Sequence, residues 1–141
     1  RLAEAAYGQR QVRSAPAVIV LYTDTCDALE HVDEVLHPGM DAEKKARSRS
    51  GILGSFAART DDERETWGMG QGYIALGYLL LAAEAHGYQT SPMTGFKPDQ
   101  VKELLGLPAH VKIPALVALG RGAEEGFPQH RHDLERIARA A

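Results

Sequence analysis

One apolar segment constrains the fold of this chain more than any other feature. Nearly every residue from 73 to 83 is apolar, and the run lacks the polar stripe that a surface helix carries. Four acidic residues between positions 61 and 65 would lie near the positive end of a helix dipole, and Gly87 would provide a left-handed stop. The sequence therefore predicts a long helix over residues 65–87, buried on all sides at the centre of a domain.

Four glycines lie in or just before this run, namely Gly68, Gly70, Gly72 and Gly77. Each costs about 1 kcal/mol relative to alanine inside a helix, which is tolerable where another backbone must pass close by. Their spacing does not match a dinucleotide-binding fingerprint, and no strand precedes them. We interpret them as positions of close helix packing.

The predicted helix leads into a short loop. Residues 88–91 form an extended run, and Pro92, Met93, Thr94 and Gly95 form a tight turn. Such a turn can present backbone N–H groups, while methionine packs softly against a flat ring. We expect this loop to carry the chemistry, although the same pattern is also typical of a plain turn.

Two other runs predict strands. Residues 17–22 are typical of a strand buried on both faces. Residues 111–119 form a second strand, and Pro114 would remove one of its ladder hydrogen bonds, which places that part at an edge or a bulge. Helices are expected over residues 27–36, where Asp27 would be the cap, and over 41–60, 98–105 and 131–140. Helices with two strands predict an α+β domain.

The length and charge of the chain exclude several classes of protein. A length of 141 residues predicts a single domain, and a net charge of −3 argues against a protein that binds nucleic acid. A membrane-spanning helix needs about 20 apolar residues, and the longest apolar run of this chain is shorter than that. No signal peptide is visible. Cys26 cannot form an internal disulfide, which fits a cytoplasmic protein. Because Arg1 already lies within a helical pattern, we expect an N-terminal part of the domain to be absent.

An ordered set of motifs runs along the chain. It comprises WGMGQGYIALG at residues 67–77, PMTGF at 92–96, VKELLGL at 101–107, ALG at 118–120 and FPQHR at 127–131. Together these motifs resemble the nitroreductase family of FMN-dependent, NAD(P)H-using oxidoreductases. The resemblance implies a mainly antiparallel sheet wrapped by helices around a long buried central helix. It also implies a homodimer, built around the 65–87 helix, with the flavin at the subunit interface.

The same resemblance assigns cofactor-binding residues. Pro92, Met93, Thr94 and Gly95 would line the flavin, with the Thr94 and Gly95 amides directed at its N5 and O4 region. Thr94 stands where relatives commonly carry Glu, so only a backbone contact is expected there. Arg131 would bind the FMN phosphate, because a guanidinium is well suited to that task. The alternative for Arg131 is an exposed residue at the start of the last helix.

Three further residues complete the expected site. Gln129 stands where relatives often carry Lys and would be a weaker second contact to the phosphate. Phe56 and Leu53 lie on the helix that partly covers the flavin in relatives, and they are candidates for the substrate pocket. Residues of this kind are more often part of a protein core, and that reading stays open for both.

The histidines do not predict a metal centre. His130 and His132 flank Arg131, but they lack the further carboxylate or cysteine ligands that a convincing site requires. His110 is a doubtful third ligand because nothing in the sequence connects it to the other two. We therefore predict no bound metal.

The resemblance predicts an enzyme that passes hydride from NAD(P)H through FMN to a nitroaromatic, a quinone or a similar electron-poor acceptor. One alternative is a specialised flavin enzyme of the same superfamily, of the dehalogenase or azoline oxidase type. A second alternative is a non-catalytic helical module that uses the apolar helix for dimerisation or binding. Bound flavin, visible as a yellow colour, separates the enzymes from the module.

Overall fold

The computed structural model describes residues 1–123, 126–128 and 130–140 of the chain. Its helices and strands are α1 (Leu2–Ala5), α2 (Arg10–Ser14), β1 (Ala17–Thr23), α3 (Thr25–Glu30), α4 (Ala42–Ala57), α5 (Asp61–Ala85), β2 (Gln89–Met93), α6 (Pro98–Leu105), β3 (Lys112–Gly120) and α7 (Leu134–Ile137). A 3₁₀ turn, Val32–Val35, follows α3. This arrangement confirms the predicted α+β class.

The three strands form one antiparallel sheet in the order β1-β3-β2. β3 is central, and Val117 pairs with Ile19 on one side and with Pro92 on the other. Because β3 has neighbours at both edges, Leu116 and Val117 are completely buried. β2 was expected only as an extended run, since its sequence has little β-branched or aromatic character. A proline is tolerated in β2 because it is an edge strand.

β1 is less buried than its sequence suggests. A strand covered on both faces was expected, but the residues of β1 are half-buried or exposed, and Tyr22 is 51% exposed. The expectation was wrong because β1 lies at the edge of the sheet in this chain. A β-branched run predicts a strand, but it does not show what covers the strand's outer face.

Pro114 lies in the central strand at a break in the ladder. The pairs Leu21–Ala115 and Thr23–Lys112 flank this break, so β3 has one more residue than β1 across the interval. Such an extra residue is a β-bulge, where one ladder hydrogen bond is absent. The missing N–H of Pro114 therefore falls at a bulge, as the sequence predicted.

The longest helix, α5, begins at Asp61 rather than at residue 65 because Thr60 caps it. The Thr60 hydroxyl accepts a hydrogen bond from the Glu63 N–H, and the Glu63 carboxylate accepts one from the Thr60 N–H at 2.7 Å. This reciprocal pair is a capping box. After the helix, Gly87 has a φ of 74°, which confirms the predicted left-handed stop.

The inner face of α5 packs closely on the sheet. Gly68 and Gly72 are its buried glycines. A Cβ at Gly68 would meet Thr25, and a Cβ at Gly72 would overlap the ring of Pro114. Close packing is therefore confirmed for these two glycines.

The outer face of α5, which we define by Gly70, Ile74, Gly77 and Leu81, is open. Among the residues that the structure describes, a Cβ at either glycine would meet nothing within 4 Å, and Ile74 and Leu81 are 56% and 72% exposed. The sequence predicted a helix buried on all sides, but the described residues of this chain leave this face of α5 exposed, and the close packing expected at Gly70 and Gly77 is not found among them. An apolar pattern on all faces predicts that a helix is buried, but it does not indicate whether the same chain or another chain packs against each face.

Two shorter helices differ from expectation. Asp24, not Asp27, caps α3, and its carboxylate accepts a hydrogen bond from the Asp27 N–H at 3.0 Å. Near the C-terminus only one turn, α7, forms within the expected 131–140 helix. Leu134 and Ile137 are 72% and 66% exposed. A short helix without a packed apolar face is marginal, which explains the difference.

The main core lies between the sheet, α1 and α6. Its buried members are Ala5, Ala6, Met93, Phe96, Val101, Ile113, Leu116 and Ala118. This core joins the N-terminal helices to the loop after β2. Among the helices that the structure describes, none is both long and apolar enough to cross a membrane.

Candidate functional site

The loop at the end of β2 combines buried anchors with an exposed turn. Met93 and Phe96 are each 7% exposed and belong to the main core. Pro92, Thr94 and Gly95 are exposed. The two anchors hold the turn at both ends, so its backbone can face solvent in a fixed position.

Two backbone N–H groups of this turn are candidate donors to a ligand. Within the described part of the chain, no group accepts a hydrogen bond from the N–H of Thr94 or of Gly95. The Thr94 carbonyl is used, since it accepts from the Phe96 N–H at 3.2 Å. The turn therefore presents two adjacent donors, which suit a ligand with hydrogen-bond acceptors on one edge.

The N-terminal helices hold the turn in place. Gln9 Nε2 donates to the Gly95 carbonyl oxygen at 2.6 Å, and the Lys97 N–H donates to the Ala5 carbonyl oxygen at 2.8 Å. Gln9 was not among the residues expected from the sequence. It is 86 positions away from Gly95, and no local motif indicates the contact.

Phe56, in the last turn of α4, packs against α5. It is 8% exposed, and its ring meets that of Trp67 edge to face with centroids 4.8 Å apart. The Arg59 guanidinium lies over the Phe56 ring at 4.6 Å from the centroid, and Arg64 Nε donates to the Phe56 carbonyl oxygen at 2.9 Å. Leu53, one turn earlier on α4, is half-buried. The described contacts of Phe56 thus join two helices, and Leu53 is the more accessible of the pair.

Arg131 is exposed, and its Nη1 donates to the carbonyl oxygen of His130 at 2.7 Å. Among the residues that the structure describes, no hydrogen bond or ion pair joins Arg131 to the 92–96 loop. Gln129 lies outside the described residues. Among the described contacts, Gln9 therefore bonds to the loop, whereas Arg131 makes no hydrogen bond or ion pair with it.

His110 lies beside Asp24 and not in a cluster with other histidines. Its Nε2 is 2.9 Å from Asp24 Oδ1. Partial burial favours the neutral acid, but hydrogen bonds from the Asp27 N–H and from His110 outweigh it and lower the pKa of Asp24 below its usual value. Asp24 is therefore an ionised carboxylate at neutral pH.

Comparison with known proteins places this geometry in a family. A sequence model described as "Nitroreductase family" matches residues 1–121. The matched part contains every element from α1 to β3, including the 92–96 loop and the Gln9 contact. The match covers most of the chain.

Two curated relatives align with nearly the whole chain. The chain is 54% identical over 136 residues to the NADH dehydrogenase of Thermus thermophilus, covering 96% of this chain and 66% of that protein. It is 29% identical over 141 residues to YdgI of Bacillus subtilis, provisionally named an NAD(P)H nitroreductase, covering 95% of this chain and 66% of the relative. The chain thus spans slightly less than two thirds of the length of both relatives.

A solved structure with the same fold contains a flavin. It is a protein of Exiguobacterium sibiricum, provisionally named a nitroreductase, in complex with FMN. The TM-score is 0.87 at 27% identity, and the match covers 99% of this chain and 70% of that one. The likeness confirms the fold expected from the sequence motifs.

Proposed function

The chain belongs to the nitroreductase family, and we propose that it acts as an FMN-dependent oxidoreductase using NAD(P)H and an electron-poor acceptor such as a nitroaromatic or a quinone. The names of its relatives, NADH dehydrogenase and NAD(P)H nitroreductase, support oxidoreductase chemistry with a nicotinamide. The observation that carries the proposal is the anchored 92–96 turn with two N–H donors that no described residue uses.

The residues of this turn fit a flavin edge. When bound, FMN supplies hydride acceptance and donation at its ring. Thr94 and Gly95 would hold the ring through their N–H groups, Pro92 would lie next to it, and Met93, whose side chain is buried in the main core, would contribute to this part of the site as an anchor of the turn. Gln9 would keep the turn in position through the Gly95 carbonyl. A backbone contact at position 94 tolerates Thr in place of the more common Glu.

One exposed surface would serve both substrates in turn. Reduced nicotinamide would bind first and leave, and the acceptor would then occupy the same place, so we expect ping-pong kinetics. Leu53 and Phe56 are proposed as the wall of this pocket. Leu53 is the better candidate because Phe56 is already engaged with Trp67 and Arg59.

For the FMN phosphate we propose Arg131, with Gln129 as a second contact. The support is chemical: a guanidinium has five N–H donors, and among the described residues one interaction of Arg131, to the His130 carbonyl, is seen. A lone charge-assisted pair is worth about 1.5–3 kcal/mol, so Arg131→Ala should weaken FMN binding by roughly tenfold or more. Arg131→Lys should retain part of that affinity, and equal affinities for all three proteins would contradict the assignment.

We also propose that the protein is a homodimer through the outer face of α5. Gly70, Ile74, Gly77 and Leu81 recur at intervals of three and four residues, so they form one stripe along the helix. The two glycines leave room for close approach of another backbone, and the two larger residues provide apolar area. A surface of this kind is typical of a protein–protein contact.

A non-catalytic module that uses this stripe alone is the rival proposal. It would dimerise in the same way, but it would have no need for a braced turn with unused N–H donors. Flavin binding therefore separates the two. A specialised flavin enzyme, of the dehalogenase or azoline oxidase type, would bind FMN but would differ in its acceptor.

The test is a titration of the purified protein with FMN, followed by NADH and NADPH oxidation with a quinone or a nitroaromatic compound. Saturable FMN binding with acceptor-dependent nicotinamide oxidation supports the proposal. Dimerisation without any FMN binding favours the module, and FMN binding without nicotinamide oxidation favours a specialised enzyme.

A further inference from the structure

Three chemically different metal-binding groups meet at one end of the sheet. Asp24 follows β1, Cys26 lies in α3, and His110 precedes β3. One ligand atom from each residue lies within 4.8 Å of the ligand atoms of the other two. A carboxylate, a thiol and an imidazole together form a mixed donor set, unlike a simple cluster of acidic side chains.

The sheet register explains why residues so distant in sequence come together. Thr23 pairs with Lys112 at the end of the β1–β3 ladder. In an antiparallel pair, the residues that follow one strand lie opposite those that precede the other. Asp24 therefore meets the turn that carries His110, and the cap that Asp24 forms on α3 brings Cys26 to the same place.

The spacing is close to that of a tetrahedral centre. With bonds of about 2.0–2.1 Å from zinc to oxygen and nitrogen, those two ligand atoms lie about 3.3 Å apart in a tetrahedron. His110 Nε2 and Asp24 Oδ1 are 2.9 Å apart, so their distance needs to increase by only a few tenths of an ångström to accommodate the ion. Cys26 is exposed and can rotate about its side-chain bonds, which allows its sulfur to approach from its present distance.

We propose that Asp24, Cys26 and His110 form a binding site for a divalent transition metal of the Zn²⁺ class, with water as the fourth ligand. Thiolate and imidazole favour Zn²⁺ and Co²⁺, whereas Mg²⁺ and Ca²⁺ prefer oxygen ligands only. Binding releases the thiol proton of Cys26 to solvent, and the ion replaces the hydrogen bond between His110 and Asp24.

The surroundings of the three residues support this assignment. The Asp24 carboxylate is oriented by a hydrogen bond from the Asp27 N–H at 3.0 Å. Hydrogen bonds of this kind to ligating groups fix their orientation and raise metal affinity. The Asp24 and His110 side chains are 20% and 38% exposed, so the site is open to an entering ion and to a water ligand. This proposal is independent of the flavin site.

Cobalt provides the direct test, because Co²⁺ replaces Zn²⁺ and is coloured. The purified chain is titrated with Co²⁺ under reducing conditions, and absorption spectra are recorded. One equivalent of Co²⁺ should produce intense visible bands of a tetrahedral ion together with a near-ultraviolet thiolate-to-metal charge-transfer band. Zn²⁺ added afterwards should remove both. If the spectrum shows only the weak bands of octahedral Co²⁺ and no charge-transfer band, the proposal is wrong. This test uses the unsubstituted chain and so does not depend on the folding of a variant.

Single substitutions identify the ligands. Cys26→Ser should abolish the charge-transfer band, and Asp24→Asn and His110→Gln should each weaken Co²⁺ binding by roughly tenfold or more. Asn is a good helix cap, so Asp24→Asn should preserve α3. The control is His31→Gln. His31 follows α3 and pairs with the carboxylate of Asp27 at 3.1 Å, so it is a nearby histidine that also pairs with an aspartate but is not one of the three proposed ligands. An equal loss of affinity in His31→Gln and His110→Gln would overturn the assignment.

Discussion

Gly72 lies directly against the ring of Pro114. A Cβ at Gly72 would overlap that ring and would come within 3.0 Å of Thr23 Cγ2. The helix thus crosses the sheet at the bulge, where proline and glycine together bring the two backbones near each other. The Lys112 ammonium, which forms an ion pair with Glu65 at 2.6 Å, adds a polar contact between the same two elements.

The first prediction concerns this contact. Gly72→Leu should destabilise the protein by about 1–3 kcal/mol, because overpacking forces the helix away from Pro114. Chemical denaturation, read from the midpoint at constant slope, provides the measurement. Gly54→Ala in α4 is the control, since a Cβ there meets no atom of the described part of the chain within 4 Å. It should be neutral or stabilising, and a similar loss in both variants would contradict the packing argument.

Helices α4, α5 and α6 and strand β1 were foreseeable because their patterns are local. Pro98 marks the start of α6 and Gly87 marks the stop after α5, and each acts through its own backbone preference. The bulge at Pro114 followed from the missing N–H of proline. By contrast, β2 was foreseen only as extended chain, because its pairing with β3 is decided by partners distant in sequence.

The candidate site was only partly foreseeable for the same reason. The 92–96 turn is visible as a motif, and its exposed donors follow from its backbone. The contact between Gln9 and Gly95 is not visible, because a lone glutamine has no pattern. The meeting of Cys26 with His110 was also missed, since only the antiparallel register brings them together. A local motif can be recognised in the sequence, whereas contacts between side chains that are distant in the sequence cannot.

The second prediction concerns Thr94 and its backbone. Thr94→Ala should retain bound flavin and activity, because the N–H group remains. Thr94→Pro removes that donor and should reduce both. Flavin content after purification and the rate of NADH oxidation are the two measurements, with circular dichroism as the check on folding. Similar flavin content and rates in the two variants would refute a backbone role.

The third prediction concerns Gln9 as the support of the turn. Gln9→Ala removes one hydrogen bond, worth about 0.5–1.5 kcal/mol, so FMN affinity should fall by roughly two- to tenfold. Gln11→Ala, an exposed glutamine in α2 two residues after Gln9, is the matched control and should leave affinity unchanged. Affinities are measured by quenching of FMN fluorescence. Indistinguishable affinities in the two variants would rule out the supporting role.

The fourth prediction concerns pH and the cap of α5. Hydrogen bonds from the Thr60 N–H and then from its hydroxyl lower the pKa of Glu63 below its usual value. A carboxyl with a lowered folded-state pKa stabilises the protein above its unfolded pKa and loses that contribution as the pH falls through the folded pKa. Glu63→Gln should therefore lower the melting temperature at neutral pH, and the difference from wild type should shrink in acid.

Asp62→Asn is the control for this pH dependence. Asp62 carries the same charge in the first turn of α5, but it is not part of the capping box. Its substitution should affect the melting temperature less than Glu63→Gln at neutral pH. If the two substitutions act equally at every pH, helix-dipole charge rather than the cap explains the effect.

The fifth prediction concerns the outer face of α5. Wild type should be a dimer by sedimentation equilibrium, and Ile74→Glu or Leu81→Glu should raise the dimer dissociation constant by at least roughly tenfold, because each buries an unpaired charge in both copies. The fold should survive, since both side chains are exposed within one chain. Leu105→Glu, on α6 and 48% exposed, is the control and should leave the dimer intact. The family resemblance implies a flavin at the subunit interface, so FMN content should fall together with dimerisation. A wild-type monomer that binds FMN and oxidises NADH would show that the exposed stripe of α5 has another role.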